Sequence, residues 1–160
     1  TWPIWAAVGV ALNPAKSFTL TADLQWTQWS KIDVIKTRFK DPMWQIMMQQ
    51  SGDDKRPMYW EDTLQVRFGA EYRIKGIAIR GGYYIDPTPA PDKTMNVLVP
   101  SYGYNVVTFG FGYGLNSLRL DFGLEYLMGK DRNVAASPGN MPGSYTMNII
   151  VPNLSISYKF

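Results

Sequence analysis

Apolar and polar residues alternate with a period of two along almost the whole chain, and no other feature constrains the fold as strongly. In the segment 118–128, for example, every second residue from Leu118 is large and apolar, and most of the residues between them are small or charged. Successive side chains of a β-strand point to opposite faces, so this pattern predicts strands with one apolar face. Seven segments show it: 2–12, 17–29, 61–74, 77–85, 104–115, 118–128 and 145–160.

The connections between these segments alternate in length. Residues 13–16, 75–76 and 116–117 form short connections, whereas 40–60, 86–103 and 129–144 form long ones. Outer-membrane barrels have tight turns at one end and long extracellular loops at the other. Each predicted strand is also near or above the roughly 9–11 residues that cross a bilayer at a tilt. Pro152 interrupts the last segment and is expected to mark a bulge or an edge irregularity.

The two faces of the predicted strands differ in a way that favours a membrane barrel. One face is large, apolar and aromatic, and the other mixes Gly, Thr and charged residues. Glycine within a strand is costly unless another group approaches closely, and a crowded barrel interior supplies that reason. The sequence thus predicts an all-β fold, an antiparallel transmembrane β-barrel. A soluble β-sandwich or a lipocalin-like binder, with the apolar face as its core, is the alternative.

The composition excludes several classes of function within this chain. There is no cysteine and no histidine, so disulfides, Cys/His metal sites and Ser–His or Cys–His catalytic pairs are excluded. We therefore expect no enzyme, no catalytic residue, no metal site and no cofactor. The net charge is only +3 and Lys and Arg are scattered, which gives no nucleic-acid footprint.

Several motifs together resemble the C-terminal half of the FadL/TodX-type (OMPP1) outer-membrane transporters of long-chain fatty acids and other hydrophobic compounds. They are residues 26–30 (WTQWS), 60–63 (WEDT), 67–73 (RFGAEYR), 80–89 (RGGYYIDPTP) and a last strand that ends in Phe160. The resemblance covers nearly the whole chain. It implies a 14-stranded barrel in the bacterial outer membrane, with a hatch and a lateral gap that both belong to the N-terminal half.

The strand count agrees with that resemblance. Seven strands is an odd number, whereas single-chain bacterial barrels have an even one. An open sheet would also leave two unpaired edges in lipid, where unsatisfied backbone groups are costly. Residues 1–160 are therefore expected to form the C-terminal half of the barrel, with the N-terminal half and outer-membrane lipid as partners.

Strand parity predicts which charged residues face the barrel interior: Asp23, Arg67, Glu71, Arg73, Arg80, Arg119, Asp121, Glu125 and Lys159. This near-balance of five cations and four anions indicates an ion-pair network rather than an ion-selective pore. Arg67 or Arg80 could instead receive a fatty-acid carboxylate, since a guanidinium offers two parallel hydrogen bonds.

An apolar surface is predicted toward the extracellular end of the interior. Its inward residues are Tyr84, Val106, Thr108, Leu127, Met147, Ile149 and Val151. This surface either binds a ligand's acyl chain or contacts the hatch and loops. A helix is predicted at 42–50, with Asp41 as N-cap, and its Trp44, Met47 and Met48 form a candidate capture loop. Simple packing of this helix on the barrel rim is the alternative.

Together with these features, the resemblance implies an outer-membrane channel for passive uptake of hydrophobic molecules, most of all long-chain fatty acids. The expected partner is a hydrophobic ligand such as a fatty acid or a detergent. The ligand would be captured by extracellular loops and bound in the upper lumen. A structural or secretion-associated barrel of the same fold, with loops that bind partner proteins, is the alternative.

Overall fold

The computed structural model describes residues 2–97 and 100–160. In chain order its strands are β1 (Trp5–Ala15), β2 (Phe18–Thr27), β3 (Val34–Lys36), β4 (Lys55–Pro57), β5 (Thr63–Ile74), β6 (Ile77–Asp86), β7 (Tyr104–Leu115), β8 (Leu118–Gly129), β9 (Arg132–Val134), β10 (Gly143–Tyr145) and β11 (Asn148–Tyr158). One α-helix, α1, spans Pro42–Ser51, and single 3₁₀ turns span Trp29–Lys31 and Asp92–Thr94. No helix in these two ranges is both long enough and apolar enough to cross a membrane.

Seven long strands form one antiparallel sheet in the order β1-β2-β5-β6-β7-β8-β11. They match the seven predicted segments, with shifted ends: β1 runs from Trp5 to Ala15 through an irregularity between Leu12 and Ala15, and β11 begins at Asn148. The turn between β5 and β6 has positive φ at both Lys75 and Gly76, which suits a two-residue hairpin turn.

The bulge or edge irregularity expected at Pro152 is absent from the pairing of β11 with β8. β11 pairs with β8 in one unbroken register from Asn148 to Tyr158, and Pro152 lies opposite Leu124. β11 is an edge strand of this sheet, where a residue without an N–H group is tolerated. The inward parity of the residues on both sides of Pro152 is therefore continuous.

The sheet is a single layer whose large apolar side chains remain exposed. Phe68 is 56% exposed, Phe109 49% and Leu154 73%. A soluble sandwich or lipocalin buries such a face, so the soluble alternative does not fit. We call the opposite face the inner face. The register of the strands places on it Asp23, Arg67, Arg80, Thr108 and Asp121. This is the distribution of a barrel wall, apolar outside and polar inside.

The predicted helix is present as α1, one residue longer than expected. The Asp41 carboxylate accepts hydrogen bonds from the backbone N–H groups of Met43 (2.9 Å) and Trp44 (3.1 Å), which caps the helix. Gly52, with φ of 82°, ends it in a left-handed conformation.

The long connections are folded rather than irregular, which the strand pattern did not predict. In the structure the first long connection runs from β2 to β5 and so begins before residue 40. Within it β3 pairs with β4, and in the third connection β9 pairs with β10. Met58, Ala90, Met95 and Val134 are almost fully buried there. We call these four residues the loop core, and they come from all three long connections.

Candidate functional site

The inner face carries a continuous chain of ion pairs across β5, β6 and β8. Glu71 binds Arg73 and Arg80, each at 2.6 Å, and Asp121 binds Arg80 at 2.9 Å and Arg119 at 2.6 Å. We call these five residues the ion-pair chain. The network expected from the charge balance is thus present, although only five of the nine predicted inward charges belong to it.

Glycines of β7 make room for this chain. A Cβ atom on Gly112 would lie 2.5 Å from Asp121 Oδ1 and 3.2 Å from Arg119 Nη2, and one on Gly110 would lie 3.2 Å from the Cβ of Arg80. The side chains of Arg80 and Asp121 therefore meet across β7 only because β7 has no side chains there. This close approach explains why the inner face is rich in glycine.

Arg67 lies beside the ion-pair chain but outside it. Its Nη2 donates to Gln25 Oε1 at 3.3 Å and to Gln65 Oε1, and its guanidinium sits 5.8 Å from the Tyr84 ring centroid. Asp23 is its register partner on β2. Nevertheless, within residues 2–97 and 100–160 no carboxylate comes within ion-pair distance of Arg67.

An inner-face pocket of about 400 Å³ brings four of the predicted site residues together. Arg67, Arg80, Tyr84 and Thr108 all line it, and the bare backbone of Gly82 forms part of its wall. Its size lies within the range of small-molecule sites. The pocket therefore combines a guanidinium that has no acidic partner among the described residues with aromatic and hydroxyl groups, the carboxylates of Asp23 and Glu71, and open space.

The remaining predicted inner residues lie in rows that continue from this pocket. Tyr84, Val106, Leu127 and Ile149 are register partners in one row across β6, β7, β8 and β11. Val106 is completely buried, whereas Leu127 and Ile149 are half-buried. Val151 lines a second recess of about 350 Å³, which also contains Arg80 and Thr108.

Two features of the site were not predicted. The Tyr84 hydroxyl donates to Glu125 Oε2 at 3.1 Å and so reaches across β7 to β8. Gln25 and Gln65, which are register partners on β2 and β5, both accept a hydrogen bond from Arg67 Nη2. Parity places both glutamines on the inner face, but a search for charged or apolar residues passes over uncharged amides.

The candidate capture residues lie apart from this pocket, on α1 in the first long connection. Trp44 is 53% exposed and Met47 51%, whereas Met48 is half-buried. Met43 and Ile46 are also exposed, at 71% and 54%. The helix thus presents an apolar surface to its surroundings, to which Trp44 and Met47 contribute more than Met48.

Arg132, a residue that sequence reasoning passed over, holds the second and third long connections together. Its Nε pairs with Asp92 Oδ1 at 2.7 Å, its Nη1 donates to the Ser101 carbonyl at 2.8 Å and its Nη2 to the Ala90 carbonyl at 2.5 Å. Its side chain is only 12% exposed. The connections therefore form one ordered layer.

No group of three or more carboxylates in the described part of the chain is arranged to hold a metal ion. The inner face instead offers hydrogen-bond donors, an aromatic ring and apolar walls. Such an arrangement can bind an organic molecule.

Comparison with known proteins agrees with this geometry. The family described as outer membrane protein transport protein (OMPP1/FadL/TodX) matches residues 1–160. The crystal structure of a Pseudomonas aeruginosa FadL homologue superposes with a TM-score of 0.82 at 19% identity, over 98% of this chain and 35% of the homologue. The chain thus spans about a third of that protein's length. The search of curated proteins finds no match.

At this identity the likeness shows a shared fold, and the predicted strand architecture of a partial outer-membrane barrel is confirmed. The family match covers every residue of the chain. The chain therefore belongs to the OMPP1/FadL/TodX family of outer membrane transport proteins.

Proposed function

We propose that the whole protein carries hydrophobic molecules passively across the bacterial outer membrane, with long-chain fatty acids as its ligands. Membership of a family of outer membrane transport proteins supports this proposal. Residues 1–160 then form the C-terminal half of the barrel. The exposed apolar face meets membrane lipid, and the edge strands β1 and β11 pair with the N-terminal half.

The observation that carries the proposal is that Arg67, at the inner pocket, keeps hydrogen-bond donors that no described residue engages. Only its Nη2 is hydrogen-bonded within the described residues, which leaves Nη1 and Nε to donate to a ligand. Nε and Nη1 lie on different edges of the guanidinium, so a carboxylate accepts one charge-assisted hydrogen bond from either of them. It forms the two-bond fork by displacing Gln25 or Gln65 from Nη2. The neighbouring Tyr84 and Thr108 add an aromatic wall and a hydroxyl.

Arg80 is the less suitable receptor of the two arginines. Glu71 and Asp121 already engage its Nε and Nη1 at 2.6 and 2.9 Å. A ligand carboxylate there would compete with two fixed anions and would be repelled by them. We assign Arg80 to bracing the pocket wall, and Arg67 to the ligand's head group.

The row from Tyr84 through Val106, Leu127 and Ile149 supplies a surface for the aliphatic tail. Burial is worth about 0.8 kcal/mol per methylene, so about six buried methylenes would contribute roughly 5 kcal/mol before entropic losses. The exposed surface of α1, with Trp44 and Met47, is the proposed point of capture, and Met48 supports it from the half-buried side.

The test compares Arg67→Gln with Arg67→Lys in the full-length protein, measuring the dissociation constants of hexadecanoate and of hexadecanol. We expect Arg67→Gln to weaken hexadecanoate binding about tenfold, which corresponds to roughly 1.4 kcal/mol, and to leave hexadecanol binding almost unchanged. Arg67→Lys keeps the charge without the fork and should give an intermediate value.

Arg73→Gln is the matched control because Arg73 lies on the same strand and the same face, at the exposed end of the ion-pair chain. It should alter neither dissociation constant. Unchanged hexadecanoate affinity in Arg67→Gln would refute the assigned role of Arg67.

A further inference from the structure

A separate pocket, away from the inner face, lies among the long connections and measures about 650 Å³. Its walls include Ile35 from the first connection, Lys93 from the second and Pro138 from the third. We call it the loop cleft. It exceeds the inner pocket in volume and lies within the ordered layer that includes the loop core.

The loop cleft has a cationic wall whose charges are not neutralised. Lys55, Arg56 and Lys93 line it together with a single carboxylate, Asp53, which leaves two net positive charges. Within residues 2–97 and 100–160 none of these three cations has a carboxylate within ion-pair distance. The Asp53 carboxylate instead accepts a hydrogen bond from the Ser51 hydroxyl at 2.7 Å.

Apolar and aromatic side chains line much of the rest of the cleft, together with Thr37 and Thr94. Ile35, Pro57 and Pro138 are apolar, and the Tyr59 ring is 47% exposed. The Lys93 ammonium lies 4.5 Å from the centroid of that ring, so the cation and the aromatic wall adjoin one another. A cleft with unneutralised cations beside an apolar surface is suited to a molecule that combines an anionic head with a hydrocarbon part.

Resting on the proposed transport function, we propose that the loop cleft is a first encounter site for amphiphiles with an anionic head group. The cations attract the head from solution, because unpaired charges at a concave surface raise the association rate of an oppositely charged ligand. The apolar wall then holds the start of the tail. Helix α1 ends at Ser51, two residues before Asp53 of the cleft wall, so the helix and the cleft adjoin one another along the chain.

The experiment measures the association rate constants of hexadecanoate and of hexadecanol with the full-length protein in lipid nanodiscs, at low and at physiological ionic strength. The test variant is Arg56→Gln/Lys93→Gln. We expect its hexadecanoate rate constant to fall about three- to tenfold at low ionic strength and to lose most of its salt dependence. The hexadecanol rate constant should stay unchanged.

Two further variants keep the result interpretable. Lys16→Gln/Lys75→Gln removes the same number of charges from the short turns at the other end of the strands and should have no effect. Arg56→Lys/Lys93→Arg keeps both charges and should preserve the rate constant. If this variant is as slow as Arg56→Gln/Lys93→Gln, the loss reflects altered loop structure and the proposal is wrong.

Excess acetate serves as a small anion without a tail. If acetate suppresses hexadecanoate association as effectively as unlabelled hexadecanoate does, the cleft recognises anions alone and the amphiphile assignment is overturned. An equal slowing of hexadecanol would also overturn it. Failure of the transport proposal is distinguishable, since the unaltered full-length protein would then bind neither hexadecanoate nor hexadecanol at equilibrium, whatever the association rates of the cleft variants.

Discussion

Arg80 Nη1 lies 2.9 Å from Asp121 Oδ1, although Arg80 belongs to β6, Asp121 to β8, and β7 runs between them. Neighbouring strands are about 4.8 Å apart, so these side chains cover two strand spacings. They do so over Gly110 and Gly112, where no β7 side chain intervenes. Side chains thereby connect β6 and β8, which are not neighbours in the sheet, across the backbone of β7.

Gly112→Val should disrupt this connection. Its new Cβ would meet Asp121 Oδ1 at 2.5 Å and Arg119 Nη2 at 3.2 Å, so the ion-pair chain must shift. Overpacking of this kind typically costs about 1–3 kcal/mol. The measurement is the urea midpoint of unfolding in detergent. Gly114→Val is the control, since a Cβ there meets only the Gly76 carbonyl oxygen, at 3.7 Å. Equal destabilisation by both would contradict the crowding argument.

Asp121→Asn should destabilise the barrel more than Arg73→Gln does. Asp121 serves both Arg80 and Arg119, whereas Arg73 has one partner and a side chain that is 65% exposed. For partly exposed pairs we expect about 1 kcal/mol for Asp121→Asn and close to zero for Arg73→Gln. The measurement is the urea midpoint of unfolding of both variants at low and at high salt. A larger destabilisation by Arg73→Gln would show that Asp121 is not the central residue of the ion-pair chain.

Arg132→Met should loosen the long connections without weakening the sheet. The change removes the ion pair with Asp92 and the hydrogen bonds to the Ala90 and Ser101 carbonyls. Limited proteolysis should then cleave within 87–103 at least several-fold faster, with an unchanged urea midpoint. Lys130→Met changes another cation of the third connection, two residues before Arg132, and should leave cleavage unaffected. Protection equal to that of the unaltered protein would show that Arg132 is dispensable for loop order.

Trp44→Ser/Met47→Ser should slow the uptake of hydrophobic ligands. These side chains are 53% and 51% exposed and supply much of the apolar surface of α1. We expect the association rate constant of hexadecanol to fall about threefold, since less apolar area is offered at the point of capture. Gln49→Ser/Gln50→Ser alters the same helix at polar positions and should have no effect. A matching decrease in that control would indicate loss of helix structure instead.

Much of the sheet could be predicted because strand parity is a local property of the sequence. Alternation placed Arg67, Tyr84 and Thr108 on one face, and their register in the structure agrees. It could not separate Arg67 from Arg80, since the difference depends on which carboxylates two other strands bring near. Glu71 and Asp121 reach Arg80, and no carboxylate in the described residues reaches Arg67.

The long connections could not be predicted for a related reason. Their order depends on contacts between residues far apart in sequence, such as the hydrogen bond from the Thr94 hydroxyl to the Met58 carbonyl. A proline likewise suggested a bulge or an edge irregularity, whereas β11 keeps one register with β8 through Pro152, which depends on strand pairing and not on local sequence. Helix α1 was predictable, since its cap and first turn are contiguous in the sequence.

The loop core also has a consequence for the order in which the parts of the chain fold. Met58, Ala90, Met95 and Val134 come from three connections that are separated by complete hairpins, so closing this layer carries the entropy cost of several long loops. A one-residue slip in the pairing of β5 with β6 or of β7 with β8 would displace the stems of these connections. We therefore expect the burial of Met58 and Met95 to come late in folding, after the hairpins beneath have reached their native register.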